Sequence, residues 1–474
     1  MKNFIPKINN KITILKEKSN KPIKKIFDHI NHIDYSCFLN SSLKNNISRY
    51  SFIGLNPFLI FQSKNNLITL QKNNKKLILQ SNPFDILKQI FKEYKIENNT
   101  NLPFISGAIG YFSYELKNLL EKLPQKAIDN LNIPDIIFIF YQILIIHDNK
   151  EPNTLYISIT NTIPNNKNGT NTIIEKIKKI INSKETKNKT IQTNTNIYTE
   201  PILSNFTKPQ YLKSIEKILK YIKNGDIYQV CLSQQFKTKY PYPIYNLYKN
   251  LNKINPAPFS AYFNFPTHKI LSSSPELFIK YENNIIETRP MKGTNPRGKN
   301  KKQNLKIKKN LINSKKEYSE LSMIVDLERN DLGKISIPGS IKVIKHRKIE
   351  QYATVFQCIS IIKSIAKKNI SPIDIIKAMF PGGSISGCPK IRALEIIDEL
   401  EPTTRSIYTG SIGYISFHNT MQLNIAIRTI IEKNNNLFFN VGSGIVADSN
   451  PEKEYTETLH KAKALIQSIN NSVI

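Results

Sequence analysis

Apolar residues in this chain recur at two different periods, and the changes of period mark its elements. Ile136 to Ile146 is a nearly unbroken Ile/Phe/Tyr run closed by Asp148-Asn149. A short apolar run bounded by a turn pair predicts a core strand. Gly107 to Phe112 places two glycines in a second apolar run, predicting a buried strand in close contact with another backbone. Residues 35–60 mix polar and apolar positions around Arg49 to Gly54, as a strand pair with turns would. Further on, Leu212, Ile215, Ile218, Leu219 and Ile222 stand at helical spacing until Gly225, which predicts a helix over 211–224. Ile227 to Phe236 reads as a strand. Residues 299–323 read as one Lys-rich helix, 372–379 and 390–401 as two more, and 451–469 as a C-terminal helix. Pro389 suits the start of the 390–401 helix.

Helices mixed irregularly with strands predict an α+β fold rather than regular βαβ winding. The polar stretch 164–201 holds an amphipathic segment, 173–181, between Asn/Thr/Lys-rich flanks. It is the best boundary, giving an N-terminal domain over 1–163, a linker over 164–201 and a C-terminal catalytic domain over 202–474.

Composition changes this picture little. The chain has 474 residues and a formal net charge of +32, which ordinarily suggests nucleic acid or an anionic membrane. Here Lys, Asn and Ile dominate everywhere, loops such as 165–168 included. The charge is smeared along the chain rather than gathered with aromatics into a binding platform, so no nucleic-acid partner is expected. No apolar run is long enough to span a membrane, and the Lys-rich first 27 residues lack the apolar core of a signal peptide. Cys37, Cys231, Cys358 and Cys388 are widely spaced, as expected in a reducing cytoplasm rather than in a disulfide or zinc framework.

Candidate chemistry begins with four glutamates. Glu317 and Glu320 are three apart, as are Glu454 and Glu457. On a helix each pair shares a face, and two such helices facing one another would offer hard oxygen ligands suited to Mg²⁺. Exposed, solvated glutamates give the same spacing, so both readings stand at this point.

Longer motifs carry a resemblance. Ser274-Pro275-Glu276, Thr288 to Thr294 with Lys292 at its centre, Tyr228-Gln229-Val230, Ser322 to Asp331, Phe380 to Lys390 and Ile396 to Pro402 resemble the chorismate-utilising enzymes. The likeness is dense over about 205–467 and weaker over about 35–160. It implies stacked antiparallel β-sheets flanked by helices, in two related halves, with the active site in the C-terminal half. It also implies Mg²⁺ bridging the two glutamate helices and holding the ring carboxylate of chorismate, with Glu320 and Glu457 as direct ligands and Glu317 and Glu454 acting through water. Tyr408 and Arg428 match the family's partners for the enolpyruvyl carboxylate, and an Arg can grip it through two parallel bonds. Gly442 and Gly444 could offer N–H groups to substrate, although a Gly-x-Gly is often only a turn. Lys461 could reach the metal-bound carboxylate or simply pair with Glu457 along the helix. Thr294 is a possible substrate donor or a plain turn residue.

Displacing the C4 hydroxyl of chorismate needs a general acid with a raised pKa, and Glu276 occupies that position in the family. Lys292 resembles the lysine of the branch that forms 4-amino-4-deoxychorismate toward 4-aminobenzoate and folate. There the lysine is taken to attack C2 before ammonia enters at C4; a desolvated Lys can be such a nucleophile. The anthranilate-forming branch usually carries Ala at this position and is the alternative. Gln229 replaces the Lys that activates water in isochorismate and salicylate synthases, and a neutral amide cannot act as that base.

None of the cysteines sits in a Gly-x-Cys-x-Gly nucleophile turn, so ammonia is expected from a separate glutamine amidotransferase. Three departures stand out. Gln357 fills a position where the family commonly has His. Asn40 replaces the acid of the Leu-Leu-Glu-Ser type sequence, which argues against feedback by tryptophan. Lys299 to Lys316 is unusually basic, and no function follows from it.

Overall fold

The apolar run at Ile136 is the thirteen-residue strand Ile136–Asp148, buried at every position. Its neighbours explain that pattern: Tyr50–Lys64 lies along one edge, and Gly107–Phe112 and Thr154–Ile159 share the other. With both edges paired and both faces covered, no position is left for a polar side chain to meet water. The computed structural model describes residues 1, 4–8, 12–43, 47–163, 167–183, 200–352 and 355–471.

Among the described residues twenty-two strands join into one hydrogen-bonded network, and Lys7–Ile8 pairs separately with Thr162–Ile163. Strands distant in sequence share ladders. Cys37–Asn40 pairs with both Tyr50–Lys64 and Phe259–Asn264, and Gly107–Phe112 pairs with Ser411–Ser416, all antiparallel. A Cβ on Gly110 would collide with the carbonyl oxygen of Ile137, so the close backbone approach expected of this glycine is present.

Helices pack on the network. Lys208–Lys223 opens with a reciprocal cap between Thr207 and Gln210, buries Tyr211, Ile215 and Ile218, and ends before Gly225 at φ +82°. That is the expected amphipathic helix with its stop. Pro372–Met379, Lys390–Leu400 and Pro451–Asn471 also lie close to their expected bounds.

Two expectations need correction. The helix in the polar segment is longer than 173–181, running Lys167–Asn182, while 184–199 lies outside the described residues. The single helix expected over 299–323 is two, Lys301–Asn313 and Lys315–Ile335. Ser314 between them is extended (ψ 115°), and its hydroxyl accepts the N–H of Glu317. Side-chain capping of a fresh N-terminus competes with continuing the first helix, and apolar spacing alone does not reveal it.

Candidate active site

One cavity of about 200 Å³ gathers residues from distant parts of the chain, among them Glu276, Lys292, Glu320, Arg428 and Glu457. Its floor is the ladder between Gln229–Lys239 and Asn436–Ile445, in which Cys231 faces Gly444 and Ser233 faces Gly442. The two glutamate helices are anchored by their opposite faces. Leu321, Ile324 and Leu332 are buried on one, and Thr458, Ala462 and Leu465 on the other. Glu317, Glu320, Glu454 and Glu457 therefore all line the same cavity.

Glu276 stands in the two-residue link between Lys269–Ser274 and Leu277–Glu282, at a strand–strand corner. It is 3% exposed, and its Oε1 accepts the Ser384 hydroxyl at 2.6 Å. Burial pushes its carboxyl up to about 7, against the opposing pull of Ser384, Lys292 and Arg428. A carboxyl so placed keeps its proton near neutrality.

Lys292 lies on Met291–Pro296, paired with Cys358, beside a register shift at Gly293 (φ +67°). Burial would lower its pKa. Cys231 and the carboxylates of Glu320, Glu276 and Glu457 outweigh that and hold it above the ordinary lysine value. A Cβ on Gly444 would collide with Gln229 Nε2 and stand 3.1 Å from Lys292 Nζ, so this glycine makes room for both side chains. Gly293 has a similar role, since a Cβ there would come within 2.6 Å of Glu317 Oε2.

Burial raises Glu317 and Glu320; neighbouring carboxylates add to it, while Lys292 and Lys316 pull the other way. For Glu457 burial is outweighed by Lys461, whose Nζ lies 2.7 Å from it and also donates to the Gly442 carbonyl at 2.9 Å. Glu454 accepts from Ser449 at 2.7 Å. Among the described residues no three carboxylate, imidazole or thiol groups converge on one point, so the glutamates surround the cavity rather than closing a cage. Their all-oxygen donor set and mutual repulsion nonetheless suit a hard divalent cation that keeps part of its water.

Tyr408, Arg428, Gly442, Thr294 and Lys461 also line the cavity. Arg428 takes φ +52° and bonds Asn255 Oδ1 at 3.1 Å through one nitrogen; burial pulls its pKa below the ordinary arginine value. The Thr294 hydroxyl accepts from Gln357 Nε2 at 3.2 Å. Gln357, where the family commonly has His, thus secures Thr294 without offering a titrating group. Gln229 alone among the expected site residues is not on the cavity wall. It is fully buried behind Gly444, and neither amide atom has a partner among the described residues.

Sequence reasoning missed three participants. Ser384 lies inside a recognised motif, but nothing in one sequence ties it to Glu276. Lys316 sits 3.9 Å from Glu320 and 3.6 Å from Glu454, and its signal was lost among the surrounding lysines. Arg405 is 1% exposed, paired with Glu401 at 2.7 Å, and donates to the Ile385 and Cys231 carbonyls behind the cavity. Its spacing from Glu401 was the available clue. Asn40 and Ser41 border a separate cavity of about 30 Å³.

The fold and this carboxylate-lined cavity define a chorismate-utilising enzyme: residues 35–467 match the chorismate binding enzyme family, and the chain belongs to it. It is 36% identical over 446 residues to anthranilate synthase component 1 of Acetivibrio thermocellus, covering 92% of this chain and 90% of that protein. It is 34% identical over 432 residues to aminodeoxychorismate synthase component 1 of Bacillus subtilis (strain 168), covering 90% of each. The crystal structure of anthranilate synthase component I from Streptococcus pneumoniae TIGR4 matches with a TM-score of 0.76 at 28% identity, covering 89% of this chain and 93% of that one. The expected α+β class, antiparallel sheet flanked by helices, is the one observed.

Proposed function

We propose that this chain aminates chorismate at C4, making 4-amino-4-deoxychorismate for 4-aminobenzoate and folate synthesis, with ammonia from a separate glutamine amidotransferase. The observation that carries the reading is Lys292, which shares one cavity with Glu276 and rests beside the Cβ-free Gly444. Arg428 and Tyr408 bind the enolpyruvyl carboxylate, helped by N–H groups near Gly442 and Gly444. Glu320 and Glu457 would hold Mg²⁺, with Glu317 and Glu454 acting through water and Lys461 steadying Glu457. Bound there, Mg²⁺ would supply a charge for the ring carboxylate and offset the glutamate field that keeps Lys292 protonated.

As a free amine, Lys292 Nζ bonds to C2 while both ring double bonds shift along the C1–C6–C5 side and the C4 hydroxyl leaves as water with the proton of Glu276. Ammonia then bonds to C4, both double bonds shift back, and the lysine leaves as a neutral amine. The new ammonium returns one proton to Glu276. Gln229 offers no base for water in this scheme.

A second reading is amination at C2 with loss of pyruvate, the anthranilate reaction. It is favoured by the 36% identity to an anthranilate synthase component and by the local field that protonates Lys292. Mass spectrometry after incubation with chorismate, Mg²⁺ and ammonium, with pyruvate assayed in parallel, separates the two. An aminated product retaining the enolpyruvyl group without pyruvate is expected. Anthranilate with equal pyruvate would establish the second reading. Lys292→Ala should abolish C4 amination, and full activity in that variant would remove the nucleophile.

A further inference from the structure

Behind the cavity a second buried carboxyl approaches Glu276 from the far side of one short turn. Glu328, on Lys315–Ile335, is 2% exposed. Its Oε1 accepts the N–H of Gly383 at 2.9 Å, and its Oε2 has no partner among the described residues. Gly383 opens the turn Gly383–Ile385, whose next residue, Ser384, donates to Glu276 at 2.6 Å. The fit is tight: a Cβ on Gly383 would lie 2.8 Å from Leu327 Cδ2 and 3.1 Å from Glu328 Oε1. Other bonds tie this turn down, from Ser386 to Gly382 and from Arg405 to Ile385. Glu328 holds the end that bears the serine.

We propose that Glu328 is a positioning residue for proton transfer: by accepting from Gly383 N–H it keeps the Ser384 hydroxyl on Glu276. This rests on the reading of Glu276 as proton donor to the leaving hydroxyl. The carboxyls are also coupled by charge. Burial pushes each up to about 7, and ionisation of Glu276 makes that of Glu328 harder. Other groups facing Glu276 are Lys292, Arg428, Tyr352 and Tyr408. Those facing Glu328 are Lys390 and Asp331, which are bonded to each other.

Two variants move the pH profile in opposite directions. Glu328→Gln keeps an oxygen for Gly383 N–H but removes the charge opposing ionisation of Glu276. Its alkaline limb should move down by roughly half a pH unit, with kcat retained at low pH. Glu328→Ala leaves Gly383 N–H without an acceptor and frees Ser384. Its kcat should fall about tenfold with KM for chorismate nearly unchanged, and its limb should still move up, because loss of the Ser384 bond that favours the charged form of Glu276 outweighs loss of the Glu328 charge. The rate is read as chorismate consumption, so this result does not depend on which product forms. A C2 product would overturn the proposed function alone. A wild-type kcat and limb in Glu328→Ala, or a loss there confined to KM, would overturn the positioning role, as would a tenfold loss of kcat at low pH in Glu328→Gln, which keeps the acceptor. If the alanine variant fails to fold, Glu328→Met, which fills the space without an acceptor, decides the matter by the same readouts.

Discussion

Replacing Gly444 by alanine adds one methyl group at the point where Gln229 and Lys292 meet. Gly444 is not in the left-handed region, so alanine fits its backbone and the whole cost is steric. The new Cβ would overlap Gln229 Nε2 and sit 3.1 Å from Lys292 Nζ, closer than ordinary contact. Gln229 is enclosed, with no exposed surface, so much of the displacement passes to Lys292, which borders the cavity. Overpacking of this kind costs about 1–3 kcal/mol of stability. A reacting group displaced by about 1 Å can lose about 100-fold in rate, or about 2.7 kcal/mol of barrier. The expected result is a kcat about 100-fold lower, a KM for chorismate within about threefold, and a modest drop in thermal midpoint. Gly333→Ala is the control: this exposed helical glycine has nothing within 4 Å of an added Cβ, and alanine there should add up to about 1 kcal/mol of stability without touching activity. Wild-type kcat in Gly444→Ala would refute the idea that this glycine sets the lysine's position.

Other outcomes follow from the same site. Glu276 acts while protonated and its carboxyl is held up at about 7, so kcat should fall as pH rises through that region; a rate still climbing beyond pH 9 would exclude it as the acid. Ser384→Ala removes a bond that favours the ionised form of Glu276 and should move that limb up by about one pH unit, which a pH series on chorismate consumption reads directly. Glu457→Gln removes a proposed Mg²⁺ ligand and the partner of Lys461. The Mg²⁺ concentration for half-maximal activity should rise about tenfold or more, and an unchanged requirement would exclude it as a ligand.

Local patterning was legible where one face or one run sufficed. The Ile136–Asp148 strand and the Lys208–Lys223 helix announce themselves because burial demands apolar residues at a fixed period. The break at Ser314 did not, because a hydroxyl capping an N–H three residues on leaves no periodic trace.

By itself the sequence determined which residue types were available: paired glutamates at helical spacing, a lysine and glutamate in long specific motifs, and the α+β alternation of periods. Tertiary structure alone decided what these groups do to one another. A carboxyl's proton affinity depends on burial and on charges a few ångströms away, and neither is a property of sequence neighbours. Glu276 is raised by its enclosure, and Lys292 is held charged by Glu320 and Glu457 from two different helices. Gln229 is withdrawn from the cavity behind a glycine over two hundred positions downstream. Ser384 and Glu328 gain their relation to Glu276 through one turn, which exists only once the helix, the turn and the strand corner have packed together.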